Sequence, residues 1–145
     1  MIALIQRVNH ANVVVKGEQI ASIEKGLLVF LGVEKQDDEA KANKLIHKIL
    51  GYRVFEDNAG KMNLSVQDVK GGVLLVPQFT LAADTQSGMR PGFSNAAPPQ
   101  EGELWFDFAA QACKKTLGEV QLGEFGADMQ ISLLNNGPVT FWLQT

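Results

Sequence analysis

The chain has 145 residues, 46% of them hydrophobic and 20% charged, which is enough apolar material for one buried core and excludes disorder. A net charge of −3 excludes a protein that coats long nucleic acid through many phosphate contacts, but not one that grips a nucleic-acid terminus. A lone cysteine excludes an internal disulfide, and no run approaches the ~20 apolar residues of a membrane span.

Read in chain order, residues 2–15 (IALIQRVNHANVVV) alternate loosely and end Val-rich, as a strand or as two with a bend between them. This start has no basic region ahead of its apolar part, and Gln6, Arg7 and Asn9 interrupt it, so no signal peptide is expected. KGEQ (16–19) reads as a turn and IASIEKG as a short return strand. LLVFLGV (27–33) is a continuous apolar run, the mark of a central strand buried on both faces. Asp37 or Asp38 then caps a helix in which Ala42, Leu45, Ile46, Ile49 and Leu50 recur at helical spacing and Gly51 ends the run. YRVFED, DNAG and KMNLSV form strand, turn and partner strand.

GGVLLVPQFTLAA (71–83) is a second buried strand, interrupted by Pro77. DTQSGMRPGFSNAAPPQ (84–100) holds three of the five prolines and reads as a long ordered rim rather than a flexible linker. GELWFDFAAQACKKTL (102–117) is an amphipathic helix that carries Cys113 as a small packing residue. EVQLGEFGADMQISLL and PVTFWLQT give short strands on either side of the turn cluster Asn135-Asn136-Gly137-Pro138. The order predicts one α+β domain over residues 1–145, β-rich, with a mostly antiparallel sheet or open barrel and two main helices.

Metal chemistry has little support. His10 and His47 have no Cys or second His at ligand spacing, and no P-loop, dinucleotide fingerprint or nucleophile elbow is present. Two stretches stand out. In VPQFTL, Pro77 cannot donate to a ladder, and period-two alternation would put Gln78 and Thr80 on one face and Phe79 and Leu81 on the other. Either this is an edge strand with a solvated polar face, or the ladder is broken to free the N–H groups of Phe79 and Thr80 for an oxyanion, with the Thr80 hydroxyl as donor or nucleophile. The Gly137-Pro138 pair is either a plain turn or a special backbone device. Arg7 is a lone cation in an apolar strand.

Taken together, PQFTL (77–81) and NNGPVT (135–140) resemble the two signature motifs of the D-aminoacyl-tRNA deacylase family, Ser-Gln-Phe-Thr-Leu and Asn-x-Gly-Pro-Val-Thr. MIALIQRV, LLVFLGV and GYRVFED…GKMNLSV are also similar to that family, so the resemblance spans the chain. One position departs: Pro77 stands where the pattern has Ser.

With one cysteine, no signal peptide and no membrane span expected, the chain reads as a soluble cytoplasmic protein, and the resemblance implies a homodimer that hydrolyses the ester between a D-amino acid and the 3′-terminal adenosine of tRNA. It implies a cis Gly137-Pro138 bond whose carbonyls enter the partner's active site and exclude L-residues, a wall that would admit glycine. Arg7 would support that loop across the dimer. Backbone N–H groups around Phe79 and Thr80 would hold the oxyanion, assisted by the ribose 2′-hydroxyl or a water it holds, and Gln78 would orient the terminal nucleotide. Phe125, Ala127, Met129 and the GMRPGF loop would line the adenosine and aminoacyl pocket. No metal or cofactor is implied. The alternative is a small-metabolite binder or an imine or enamine hydrolase at an inter-subunit cleft, with Arg90 as its anion contact.

Overall fold

A computed structural model describes every residue from Met1 to Thr145. One strand organises it. β1 (Ile2–Val15) pairs antiparallel with three others: β2 (Glu18–Ile23) and β3 (Gly26–Gly32) share one of its edges, and the C-terminal β8 (Gln130–Gln144) follows the other. Beyond β3 the sheet continues in parallel through β6 (Gly72–Pro77) to the two-residue β7 (Gln121–Leu122). The sheet curls until the Ser22 N–H of β2 approaches Gln121 Oε1 of β7 at 3.4 Å, so a mixed sheet comes close to closing into a barrel. β4 (Phe55–Glu56) and β5 (Met62–Leu64) form a separate small hairpin.

The two predicted helices are present. α1 (Glu39–Gly51) is capped by Asp38, whose carboxylate accepts from the Lys41 N–H. Asp37 does not cap, contrary to an equal reading of the two acids. It is buried, and its carboxylate takes the Met1 ammonium at 2.7 Å and the Glu34 N–H at 2.7 Å. α2 (Pro99–Leu117) begins three residues earlier than its apolar pattern suggested, with Pro99 in the first turn, where a missing N–H costs nothing.

Both helices pack on one face of the sheet, where Leu27, Val29 and Leu31 of β3 meet Leu45, Ile49, Phe106 and Ala109. Leu28 and Leu74 point the other way, into the barrel interior with Val8, Val13 and Ile23. The continuous apolar run in β3 is therefore explained: its residues serve two cores. β3 and β6 approach so closely that a Cβ on Gly26 would overlap the Gly72 carbonyl. No helix is long and apolar enough to cross a membrane.

Two predicted strand boundaries change. β6 stops at Pro77 and Phe79–Ala82 form a 3-10 turn, so the period-two reading of residues 78–81 is wrong. β8 is one strand running through the Asn135–Pro138 cluster rather than two strands around it.

Cys113 lies in the helix-facing core, and burial pushes its thiol up to about 12. The unfolded thiol releases its proton near 9 while the folded one keeps it, so stability is full below pH ~9 and falls as pH rises towards 12. Cys113→Ala should flatten that alkaline slope in urea unfolding curves, and the native thiol should react with a disulfide reagent only as fast as the protein opens.

Candidate active site

The first half of the site is built where β6 ends. The Gln78 N–H donates to Leu31 O at 2.8 Å, so this position faces β3. Position 77 therefore faces the other way, toward β7, where proline offers no donor. On that side the last tie is Gly123 N–H to Leu75 O at 2.8 Å, and beyond it the chain is released. Leu81 N–H then bonds Gln78 O and Ala83 N–H bonds Thr80 O, closing the 3-10 turn. The turn folds back onto Gly32, where a Cβ would sit 2.9 Å from Leu81 Cβ and 3.0 Å from Gln78 O. Only glycine admits that approach.

A 3-10 helix leaves its first N–H groups without intrahelical acceptors. Here these belong to Phe79 and Thr80, and no side chain caps them. The Thr80 hydroxyl accepts from Gln78 Nε2 at 2.6 Å. An amide cannot take a proton from a hydroxyl, so this contact orients Thr80 without activating it.

Next to the turn lies a cavity of about 770 Å³. Gln78, Phe79, Phe125, Ala127 and Met129 all line it, so five of the predicted site residues meet in one place. The Phe125 ring rests on Gly102 of α2, where a Cβ would stand 3.2 Å from Cζ, and this explains a glycine inside a helix. Phe79 stacks at a tilt on Phe93, with ring centroids 5.1 Å apart. Of the GMRPGF loop only Phe93 reaches the cavity; Met89 and Arg90 are exposed away from it, contrary to expectation. Thr80 is outside the lining, although its backbone begins the adjoining turn. Sequence reasoning missed Gly32, Gly102 and Lys35, the last a cation on the cavity wall just past the end of β3. The apolar β3 run ending in Val33-Glu34-Lys35 was the available signal for Lys35, since sites gather at the carboxyl ends of parallel strands.

The second half is the Gly137-Pro138 loop. β1 and β8 pair at Gln6–Thr140 and again at Val8–Asn135. Between these pairs β1 has one residue, Arg7, and β8 has four, so residues 136–139 bulge out. The base is clamped. Asn135 Oδ1 accepts the Val139 N–H at 2.7 Å, and Asn135 Nδ2 donates to Thr140 Oγ1 at 2.9 Å. Arg7 is buried, not an exposed edge residue; its Nε donates to Asn136 O at 2.9 Å and its Nη1 to Val54 O at 2.6 Å. These bonds lie within one chain, whereas the resemblance implied a bond across a dimer.

Gly137 has φ +142°, and a Cβ there would stand 2.7 Å from Val139 Cγ2 and 3.1 Å from Arg7 Nη2. The Gly137-Pro138 bond is cis, and both residues are exposed and line no part of their own chain's cavity. His10 and His47 are exposed, and no three His, Cys, Asp or Glu side chains group as metal ligands.

Comparison with known proteins agrees along the whole chain. The family model described as D-Tyr-tRNA(Tyr) deacylase matches residues 4–144. The D-aminoacyl-tRNA deacylase of Photobacterium profundum is 59% identical over 144 residues, covering 99% of each chain. That of Escherichia coli (strain K12 / DH10B) is 58% identical over the same coverage. A solved structure described as a c-Myc DNA unwinding element binding protein superposes with TM-score 0.96 at 38% identity, over 100% of this chain and 99% of that one. Another, described as a probable eukaryotic D-amino acid tRNA deacylase, gives TM-score 0.86 at 13% identity over 99% and 98%, a likeness of fold.

Replacing Arg7 by Met keeps an apolar stem but strands two carbonyls, one of them the buried Val54 carbonyl. Urea denaturation should show a loss of about 2–3 kcal/mol. Arg7→Lys should recover less than half of it, since an ammonium cannot span both acceptors in the plane of the guanidinium.

Proposed function

The chain belongs to the D-Tyr-tRNA(Tyr) deacylase family, and from that premise we propose that it hydrolyses the ester joining a D-amino acid to the 3′-terminal adenosine of tRNA. The observation that carries this reading is the pair of uncapped N–H groups, of Phe79 and Thr80, at a turn beside a mostly apolar cavity with room for a nucleoside and its aminoacyl group.

An aminoacyl ester is already activated, so hydrolysis needs a placed water and donors for the developing charge. Water adds to the ester carbonyl carbon, and the carbonyl electron pair moves onto oxygen, where the two N–H groups receive it. The intermediate collapses by expelling the ribose 3′-oxygen, which takes up the proton that water gives away. The neighbouring 2′-hydroxyl passes that proton, since the Thr80 hydroxyl is hydrogen-bonded to the Gln78 amide and to no His, Lys or carboxylate. The Gln78–Thr80 contact supports an orienting role for both side chains rather than a nucleophilic hydroxyl. Phe125, Ala127 and Met129 seat the adenosine and aminoacyl groups. No step calls for a metal or cofactor.

Selection between D and L falls to Gly137 and Pro138. A wall of main-chain atoms rejects the L side chain whatever its chemistry, which lets one enzyme clear many D-aminoacyl groups. Such a wall admits glycine, so glycyl-tRNA is also a substrate. Because the loop lines no part of its own chain's cavity, it acts in a second copy's site, and the enzyme is a homodimer. Two features support this: β8 pairs on one edge only, and Trp142 and Leu134 stand about half exposed on it. Arg7 holds the loop from within its own chain, and the lone buried thiol suits a reducing cytoplasm. The metabolite alternative cannot use Arg90 as its anion contact, since Arg90 is not among the residues that line the cavity.

Purified protein should release tyrosine from D-tyrosyl-tRNA and leave L-tyrosyl-tRNA intact. Equal release from both would leave an esterase without the gate, and release from neither would return the cavity to a metabolite. Thr80→Val should keep kcat within about threefold of wild type, and EDTA should change nothing. A fall of ~10³ would instead make the hydroxyl the nucleophile.

A further inference from the structure

We infer that Lys35 is the phosphate contact of this site, binding the phosphodiester on the 5′ side of the terminal adenosine and thereby setting affinity for the tRNA end. The inference rests on the deacylase reading and adds a residue to it. Among the side chains lining the cavity, Lys35 is the one cation. Its backbone N–H is tied to Asn95 O at 2.9 Å, which joins the end of β3 to the proline-rich rim and fixes where the side chain starts.

Lys35 makes no ion pair, and the acids nearest to it in sequence are engaged elsewhere. Glu34 holds the Met1 ammonium at 2.8 Å and the Gln144 amide, and Asp37 holds the same ammonium at 2.7 Å with Lys41 at 3.9 Å. Asp128, the cavity's single carboxylate, forms no salt bridge with it. Lys35 lines a mostly apolar cavity, is exposed and has no acid partner, so its ammonium is free to meet a singly charged anion there.

The substrate offers such a charge. A terminal adenosine carries one negative group next to it, the 5′-phosphodiester, while its base and ribose suit apolar walls and a few amides. Register makes the placement reasonable. Leu31 pairs with Pro77 across adjacent parallel strands, ~4.8 Å apart. Lys35 lies four residues beyond the first and the Phe79–Thr80 donors two and three beyond the second, so cation and oxyanion donors leave the same sheet end side by side. A flexible four-carbon stem reaches out toward the phosphate while the ester stays at the turn.

The test uses Lys35→Gln and, as a control, Lys16→Gln in the exposed β1–β2 turn, on three substrates: D-tyrosyl-tRNA, 3′-O-D-tyrosyl-adenosine 5′-phosphate and 3′-O-D-tyrosyl-adenosine. Lys35→Gln should raise KM about three- to tenfold on the two phosphorylated substrates with kcat unchanged, and leave the unphosphorylated ester unaffected. On tRNA, the slope of log kcat/KM against log salt should shrink by about 0.7, one single-strand phosphate contact. Lys16→Gln should match wild type throughout. An equal loss on the unphosphorylated ester, an equal loss in Lys16→Gln, or no loss in Lys35→Gln would overturn the assignment. If the wild-type protein cleaves none of the three, the deacylase reading itself falls, and this inference with it.

Discussion

One mismatch of register governs the molecule. Opposite the single residue Arg7, β8 has to accommodate four residues between two ladder pairs. Ladder bonds alone do not hold such a bulge, because its peptide groups have lost their partners on β1. The guanidinium of Arg7 supplies replacements, and its second arm reaches the buried Val54 carbonyl beside α1 and the β4–β5 hairpin. One buried side chain thus ties the exposed loop to the centre of the fold. The requirement is mutual. A Cβ at Gly137 would meet Val139 and Arg7 together, so the loop can carry no side chain there while the arginine holds it. Asn135 and Thr140 complete the clamp, which gives each polar residue of NNGPVT except Asn136, whose backbone carbonyl is what Arg7 uses, a contact of its own.

The other end of the site follows from a second backbone constraint. The ladder on the β7 side cannot pass Pro77, and Gly32 leaves space for the chain to fold back over β3. These two together turn Phe79 and Thr80 out of the sheet with their N–H groups uncommitted. Proline in place of the family's serine fits this role, since the position faces β7 and needs no donor there.

Much of this was legible in the sequence, for physical reasons that differ by element. β3 and α1 announce themselves because each has a long, regular pattern that only one conformation can bury. Cys113 reads as packing because it lies in a helical pattern with no His beside it to make it a nucleophile. The 3-10 turn was misread because Gln-Phe-Thr-Leu satisfies alternation as well as a turn does, and four residues are too few to separate the periods. β8 was split because Gly-Pro normally ends a strand, whereas here a long β1 continues on the far side of the bulge and recaptures the chain. Arg7 stood out in the sequence as a lone cation in an apolar strand, but its partners, like the roles of Gly32, Gly102 and Lys35, appear only in three dimensions. Each owes its importance to a residue distant in sequence: Arg7 to Asn136, Gly32 to Leu81, Gly102 to Phe125, and Lys35 to the cavity that α2 and residues 125–129 close.

The two constraints have a common logic. On the proposed reading both halves meet the reacting ester and its α-carbon with peptide groups, while Phe79, Phe125 and Met129 line the cavity and Arg7 and Asn135 clamp the loop. A site made of peptide groups cannot be tuned by exchanging one side chain for another, but it treats all amino acids of one hand alike. That suits a task in which the chirality of the substrate matters and its side chain does not. It also explains why glycines and prolines crowd the signature stretches. They carry no reacting group, and in the proposed mechanism their contribution is to leave space or withhold a hydrogen bond where the backbone meets the substrate.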